Sequence, residues 1–149
     1  MRGDTRAISP AVTQALTIGI STILITGLLI GGSSFSKVKT DSTVRQGLQD
    51  VGSGVASDLV RLDKFNTSDV SGTVSFTSDY PDRVGGKSYD IRLVPGPDFT
   101  TIYVNSTSSD LGTAVQFVNE TAVCGGTVSG GQLNIAYDSG AECLVVGDA

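Results

Sequence analysis

Histidine is absent from the 149 residues, cysteine occurs only twice and lysine only four times. Without histidine the chain lacks the side chain that most often works as general acid, general base or zinc ligand near neutral pH. Two cysteines with no metal-ligating neighbours make no zinc site. Basic charge is scarce as well: ten Lys and Arg stand against fifteen Asp and Glu, thirteen of them Asp, for a formal charge of -5. Nothing basic is clustered to neutralise phosphates, so no nucleic-acid partner is expected. No glycine-rich segment has the spacing of a phosphate cradle. Val84-Gly85-Gly86-Lys87-Ser88 ends like a P-loop but lacks its first glycine. Acidic loop residues such as Asp79 and Asp82 are usually solvated, so they do not by themselves make a calcium site. The residues therefore point to no enzyme and no cofactor.

Charge itself is missing from the longest stretch, since residues 8–32 contain no ionisable side chain. At ~1.5 Å of rise per residue, such a run crosses a hydrocarbon core of ~30 Å as one helix. Ser9-Pro10 reads as its N-cap and N1 pair: a hydroxyl to accept an orphan amide, then a preset φ with no amide to waste. Ahead of it lie only Met1-Arg2-Gly3-Asp4-Thr5-Arg6-Ala7. An ordinary secretory signal places its small-residue cleavage site after the apolar run, whereas here the site at Ala7 precedes it and the run stays on the mature protein. Two alternatives remain at the level of the residues. Gly31-Gly32-Ser33-Ser34 imitates a late, secretory-type site, and Arg2-Gly3 offers an earlier cut that would leave Asp4 and Arg6 on the helix terminus.

Arg6, Ala7, Ile8, Ser9 and Pro10, in that order before an apolar helix, resemble the junction of archaeal type IV pilins and pilin-like proteins of the halophile kind. The bacterial branch has a Glu at the fifth mature residue, and that position is Val12 here. The resemblance covers about the first quarter of the chain; a weaker likeness extends over Tyr80-Pro81 to Tyr89. It implies that a membrane prepilin peptidase cuts between Ala7 and Ile8. It also implies that the subunit waits in membrane lipid and is handled by pilus assembly machinery. The mature subunits then form a homo-oligomeric filament by bundling residues 8–32.

Small and polar residues within the run follow a pattern. Gln14, Thr17 and Ser21 are spaced three and four apart, and Gly27 and Gly31 form a small-xxx-small pair. Such positions let helices approach closely and bond across one another. The alternative is that the hydroxyls bond their own i-4 carbonyls and the glycines are tolerated passively. Past a soft spot at Gly31-Gly32-Ser33-Ser34, an apolar face restarts at Phe35 and Val38. Val44, Leu48, Val51, Val55, Leu59 and Leu62 then recur at helical spacing. Lys37, Lys39, Asp41, Arg45, Asp50, Asp58 and Arg61 are expected mostly on the opposite face. An unbroken helix from Ser9 to about Asp63 would span ~80 Å, too long for one crossing, so its second half has to bury its stripe on protein.

The period changes at Asn66-Thr67-Ser68-Asp69. Residues 70–76, 88–94, 100–104, 113–118, 121–127, 132–137 and 142–146 are short runs rich in Val, Ile, Thr and Tyr, separated by Gly, Pro, Asp and Ser. They predict an antiparallel sheet covered by the 44–62 stripe. Cys124 and Cys143 fall in separate predicted strands, where a bridge would contribute ~3 kcal/mol in the chain-entropy model; two buried free thiols are the alternative. Asn66, Asn105 and Asn119 each open an Asn-x-Ser/Thr glycosylation sequon, which suits an exterior location. The expected organisation is a leader (1–7), a membrane or filament-core helix (8–32), an amphipathic continuation (33–65) and an exterior β-rich domain (66–149). The expected fold class is α+β and the expected location is the cell membrane and surface. The expected function is that of a structural or adhesive pilus-like subunit. The alternative is a membrane-anchored binding module that does not polymerise.

Overall fold

The uncharged run and the amphipathic stripe are carried by one helix, α1 (Ile8–Asp63), in a computed structural model that describes residues 8–65 and 74–149. Ile8, the first described residue, is already helical, so Ser9 and Pro10 lie within the helix and not at the cap position expected for Ser9. Proline is tolerated there because the first four amides of a helix have no intrahelical acceptor. Gly31-Gly32-Ser33-Ser34 is helical, and the Ser33 hydroxyl donates to Ile30 O at 3.0 Å.

The chain divides into two compact units, Met1–Thr40 and Asp41–Ala149. The described part of the first is residues 8–40 of α1, and every residue from Pro10 to Thr40 is exposed.

In the second unit the remainder of α1 packs against seven strands: β1 (Val74–Asp79), β2 (Tyr89–Pro95), β3 (Phe99–Ser106), β4 (Gly112–Val118), β5 (Gly126–Ser129), β6 (Gln132–Asp138) and β7 (Cys143–Asp148). The fold class is thus α+β, a long N-terminal apolar helix followed by antiparallel strands. Val44, Leu48, Val51, Val55, Leu59 and Leu62 are all buried, 5% exposed or less, on Tyr89, Ile91, Ile102, Val104, Leu133, Ile135 and Leu144 from the strands. Alternation within strands explains the selection: Tyr89, Ile91 and Leu93 face the core while Arg92 and Val94 face out.

The strands form two sheets, not the single one expected, in the orders β1-β6-β7 and β4-β3-β2-β5. The residues expected as a strand at 121–127 explain the division. They enter β5 only at Gly126, and before it the chain makes a lone parallel bridge, Val123 to Leu144, that joins the sheets. Cys124 N–H donates to Leu144 O and Leu144 N–H to Ala122 O, each at 2.8 Å. Cys124 therefore sits in the β4–β5 connection and not in a strand. The strand expected at 70–76 runs from Val74 to Asp79, and residues 70–73 lie outside the described residues.

Between β1 and β2 a two-residue turn with φ of 58° at Gly85 and 77° at Gly86 is closed by reciprocal bonds between Val84 and Lys87. Both central residues need φ > 0, which only glycine adopts freely. The turn carries Val84 onto α1 at Gly47, and a Cβ on Gly47 would run into Val84. Gly52 and Gly54 serve the same end. A Cβ on Gly52 would come within 3.0 Å of Val115 and 3.2 Å of Val104, and one on Gly54 within 2.8 Å of the Tyr80 ring. Helical glycine costs ~1 kcal/mol relative to alanine, so three within eight residues mark where strands lie closest to the helix. Gly52→Leu should destabilise this unit by about 1–3 kcal/mol through overpacking, measured as the shift in denaturant midpoint.

Candidate functional site

Residues 10–32 present an uncharged, largely apolar surface. Ile23, Leu28, Leu29 and Phe35 are each about 70% exposed, and none of the apolar window is buried within the chain. Among the described residues α1 is the helix long and apolar enough to cross a membrane, which makes it a candidate anchor. Gly27 and Gly31 lie along an open notch of about 490 Å³, walled by Ile23, Leu24, Leu28 and Phe35. A Cβ added at either glycine meets nothing within 4 Å. No contact among the described residues explains the two glycines, in contrast to Gly47, Gly52 and Gly54.

Gln14, Thr17 and Ser21 are exposed on the same helix. The Thr17 hydroxyl donates to Thr13 O at 2.9 Å, and Thr22 and Thr26 bond back to Ile18 O and Thr22 O at 2.8 Å. Threonine hydroxyls are thus satisfied within one helix, as the second reading of the sequence pattern has it. Arg6 and Ala7 of the expected cleavage junction lie outside the described residues; Ile8, Ser9 and Pro10 are in the first turn of α1.

In the second unit Cys124 and Cys143 form a disulfide with Cα atoms 5.5 Å apart, beside the bridge that joins the two sheets. Of the sequon residues, Asn66 lies outside the described residues. Asn105 is exposed near the end of β3, and Asn119 is half-buried just after β4.

Two carboxylates with larger roles were not singled out by sequence. Asp58, expected on the solvent face, accepts from Ser78 Oγ and from the Tyr80 hydroxyl, both at 2.6 Å and both on Oδ2. Arg61 approaches its other oxygen at 3.8 Å but is itself 71% exposed, so that pair contributes little. Asp63 Oδ2 accepts from Glu120 N–H at 2.9 Å and Oδ1 from Thr121 N–H at 2.8 Å. An acid in the last turn opposes the helix dipole, and that was the signal available: such a residue calls for donors from elsewhere. The two contacts hold α1 to the start of the β1–β2 connection and to the β4–β5 connection. Burial raises the Tyr80 hydroxyl well above its ordinary pKa, and the bond to Asp58 and the charge of Asp58 raise it further. Tyr89, whose hydroxyl donates to Pro81 O at 2.6 Å, is also raised, by burial and then by Asp82, against a lowering contribution from the Gly131 backbone.

These features define an α+β chain with an exposed apolar N-terminal helix and a disulfide-linked β unit. The chain belongs to DUF7266, a family of unknown function, which it matches over residues 3–147. No curated protein and no solved structure matches it.

Proposed function

We propose that this chain is a pilin-like structural subunit, held in the membrane by residues 8–32 before assembly and bundled through them in an extracellular filament afterwards. The supporting observation is the Gly27–Gly31 notch. It is a gap in the apolar helix that nothing among the described residues fills, and close helix–helix approach is the use such gaps have in lipid and in bundles. The resemblance of Arg6-Ala7-Ile8-Ser9-Pro10 to a prepilin junction adds the processing step, a cut after Ala7 by a prepilin peptidase, and delivery by pilus assembly machinery. The disulfide fits an oxidising exterior for the β unit, where the sequons would make it a glycoprotein. Adhesion or a plain surface appendage is the role left to that unit.

The exposed apolar helix also fits a second reading, a membrane-anchored exterior module that never polymerises, since an anchor asks only for length and hydrophobicity. Two measurements on cells expressing the protein decide. Mass spectrometry of the membrane-derived chain should show an N-terminus at Ile8, and shearing followed by high-speed sedimentation should pellet released filaments. A retained 1–7 segment or a start near Ser33 would remove the processing step. Correctly cut protein that never leaves the membrane fraction would hand the function to the anchored module.

A further inference from the structure

The two sequons within the described residues differ in what their amides are doing. Asn119 is held at both ends. Its Nδ2 donates to Thr121 O at 2.8 Å, and its Oδ1 accepts at 3.0 Å from the hydroxyl of Thr100, which is fully buried. The next two amides of the same sequon, Glu120 and Thr121, are bound to Asp63 of α1. Asn119 is thus the sheet-side part of the junction that fixes the end of the helix. A sugar on its Nδ2 would have to sit where β4, the β4–β5 connection and α1 meet.

Asn105 has neither constraint. Its side chain is exposed, and its amide has no hydrogen-bond partner among the described residues. It lies on the outward face of β3, between Asp90 on β2 and Gly112 on β4, its register partners on either side. A Cβ on Gly112 would run into Asn105 Oδ1, so the amide oxygen rests over that bare glycine on the β4 side. Asp90 and Thr107, the latter completing the sequon, both line an open polar hollow of about 430 Å³ shared with Ser88, Ser129 and Arg83. Hydroxyls, the Asp82 and Asp90 carboxylates and a guanidinium around an open hollow offer the donors and acceptors that a sugar ring displays in return.

We propose that Asn105 is the glycan-bearing residue of the β unit, with its first sugar seated against the Asp90–Thr107 hollow, and that Asn119 is a structural amide that stays unmodified. The inference rests on the exterior glycoprotein reading above. The co-reactant is a polyprenyl-phosphate-linked oligosaccharide. Asn105 Nδ2 forms a bond to C1 of its first sugar, the C1–O bond to phosphate breaks with its electron pair leaving on the phosphate, and one amide proton passes to a base of the transferase. The selection applies to transfer onto the folded chain, in which the Asn119 amide is already engaged with Thr100 and Thr121.

The test is glycopeptide mass spectrometry of the full chain isolated from its native cells. Digestion on the N-terminal side of aspartates places the sequons on separate peptides, 63–68, 98–109 and 110–137. Glycan mass on 98–109 and none on 110–137 is the expected result, with Asn105→Gln abolishing it and Asn119→Gln leaving it in place. Glycan on 110–137 would overturn the proposal. So would glycan on 63–68 with 98–109 bare, an outcome that leaves the glycoprotein reading standing. No glycan on any of the three would remove the proposal and that reading together. On unglycosylated chain, Asn119→Gln should lower the thermal midpoint by about 4–8 °C and Asn105→Gln should not move it; equal midpoints would sink the structural role given to Asn119.

Discussion

Asp58→Ala is expected to lower the unfolding free energy of the second unit by about 2–4 kcal/mol, a large fraction of what a domain of this size holds in reserve. The substitution removes one acceptor but strands two donors, Ser78 Oγ and the Tyr80 hydroxyl, both brought to the same carboxylate oxygen at 2.6 Å. Hydrogen bonds to a charged group contribute about 1.5–3 kcal/mol each when buried, and the half-buried position of Asp58 brings their sum to the range given. Tyr80→Phe should cost less, about 1–2 kcal/mol, because it removes a donor and leaves Asp58 its bond to Ser78. The pH dependence has a definite sign. Tyr80 titrates higher folded than unfolded, so its contribution is fully present below pH 10 and is lost as pH rises through and beyond that value. Denaturant titrations of the detergent-solubilised chain between pH 8 and 11 should show stability falling above pH 10, with a shallower fall in Tyr80→Phe. Tyr89, which is raised as well, contributes to the remaining slope. An unchanged slope in Tyr80→Phe would mean that the Asp58 contact does not hold Tyr80 in its protonated form.

That such a contact escapes a reading of the sequence has a physical reason. The helical stripe from Val44 to Leu62 is legible because burial on one face imposes a period on neighbouring residues, and the strands are legible because alternation and turn residues are also local. Asp58 carries no such mark. It sits at the edge of the apolar stripe on the helical wheel, beside Val51, and its role depends on Ser78 and Tyr80, twenty and more residues away. Gly47, Gly52 and Gly54 look like weak points in a helix until Val84, Val115 and Tyr80 are seen against them. The division into two sheets was hidden for a similar reason. Residues 121–125 have strand composition, but the disulfide and the parallel bridge to Leu144 pull them across the gap between sheets. The apolar helix was the most legible part of the candidate site, because absence of charge is visible without any partner. What the notch on it faces is a property of a second molecule.

Gly27→Leu is expected to abolish release of filaments by shearing while the subunit is still cut, inserted and folded. The substitution is unusually clean because a Cβ at Gly27 meets nothing within 4 Å among the described residues, and leucine is a better helix former than glycine by about 0.8 kcal/mol. Alone in lipid, the variant helix is longer in apolar surface and should insert as well as the wild type or slightly better. Any loss must therefore come from a neighbouring helix that needed the notch. Gly31→Leu fills the same notch one turn on and should behave alike, and a charge at Gln14 should also block bundling. Gly52→Leu is the control with the opposite profile, since its Cβ meets Val115 at 3.0 Å and its damage should appear as lost stability of the second unit. Cells expressing each variant would be sheared, and the released material sedimented and probed for the chain. Gly27→Leu retained in the membrane fraction, with its second unit as resistant to denaturant as the wild type, would tie assembly to helix packing at the notch. Filaments released from Gly27→Leu at wild-type yield would show that the notch is not a packing surface, and the bundling of residues 8–32 would have to be abandoned as the basis of assembly.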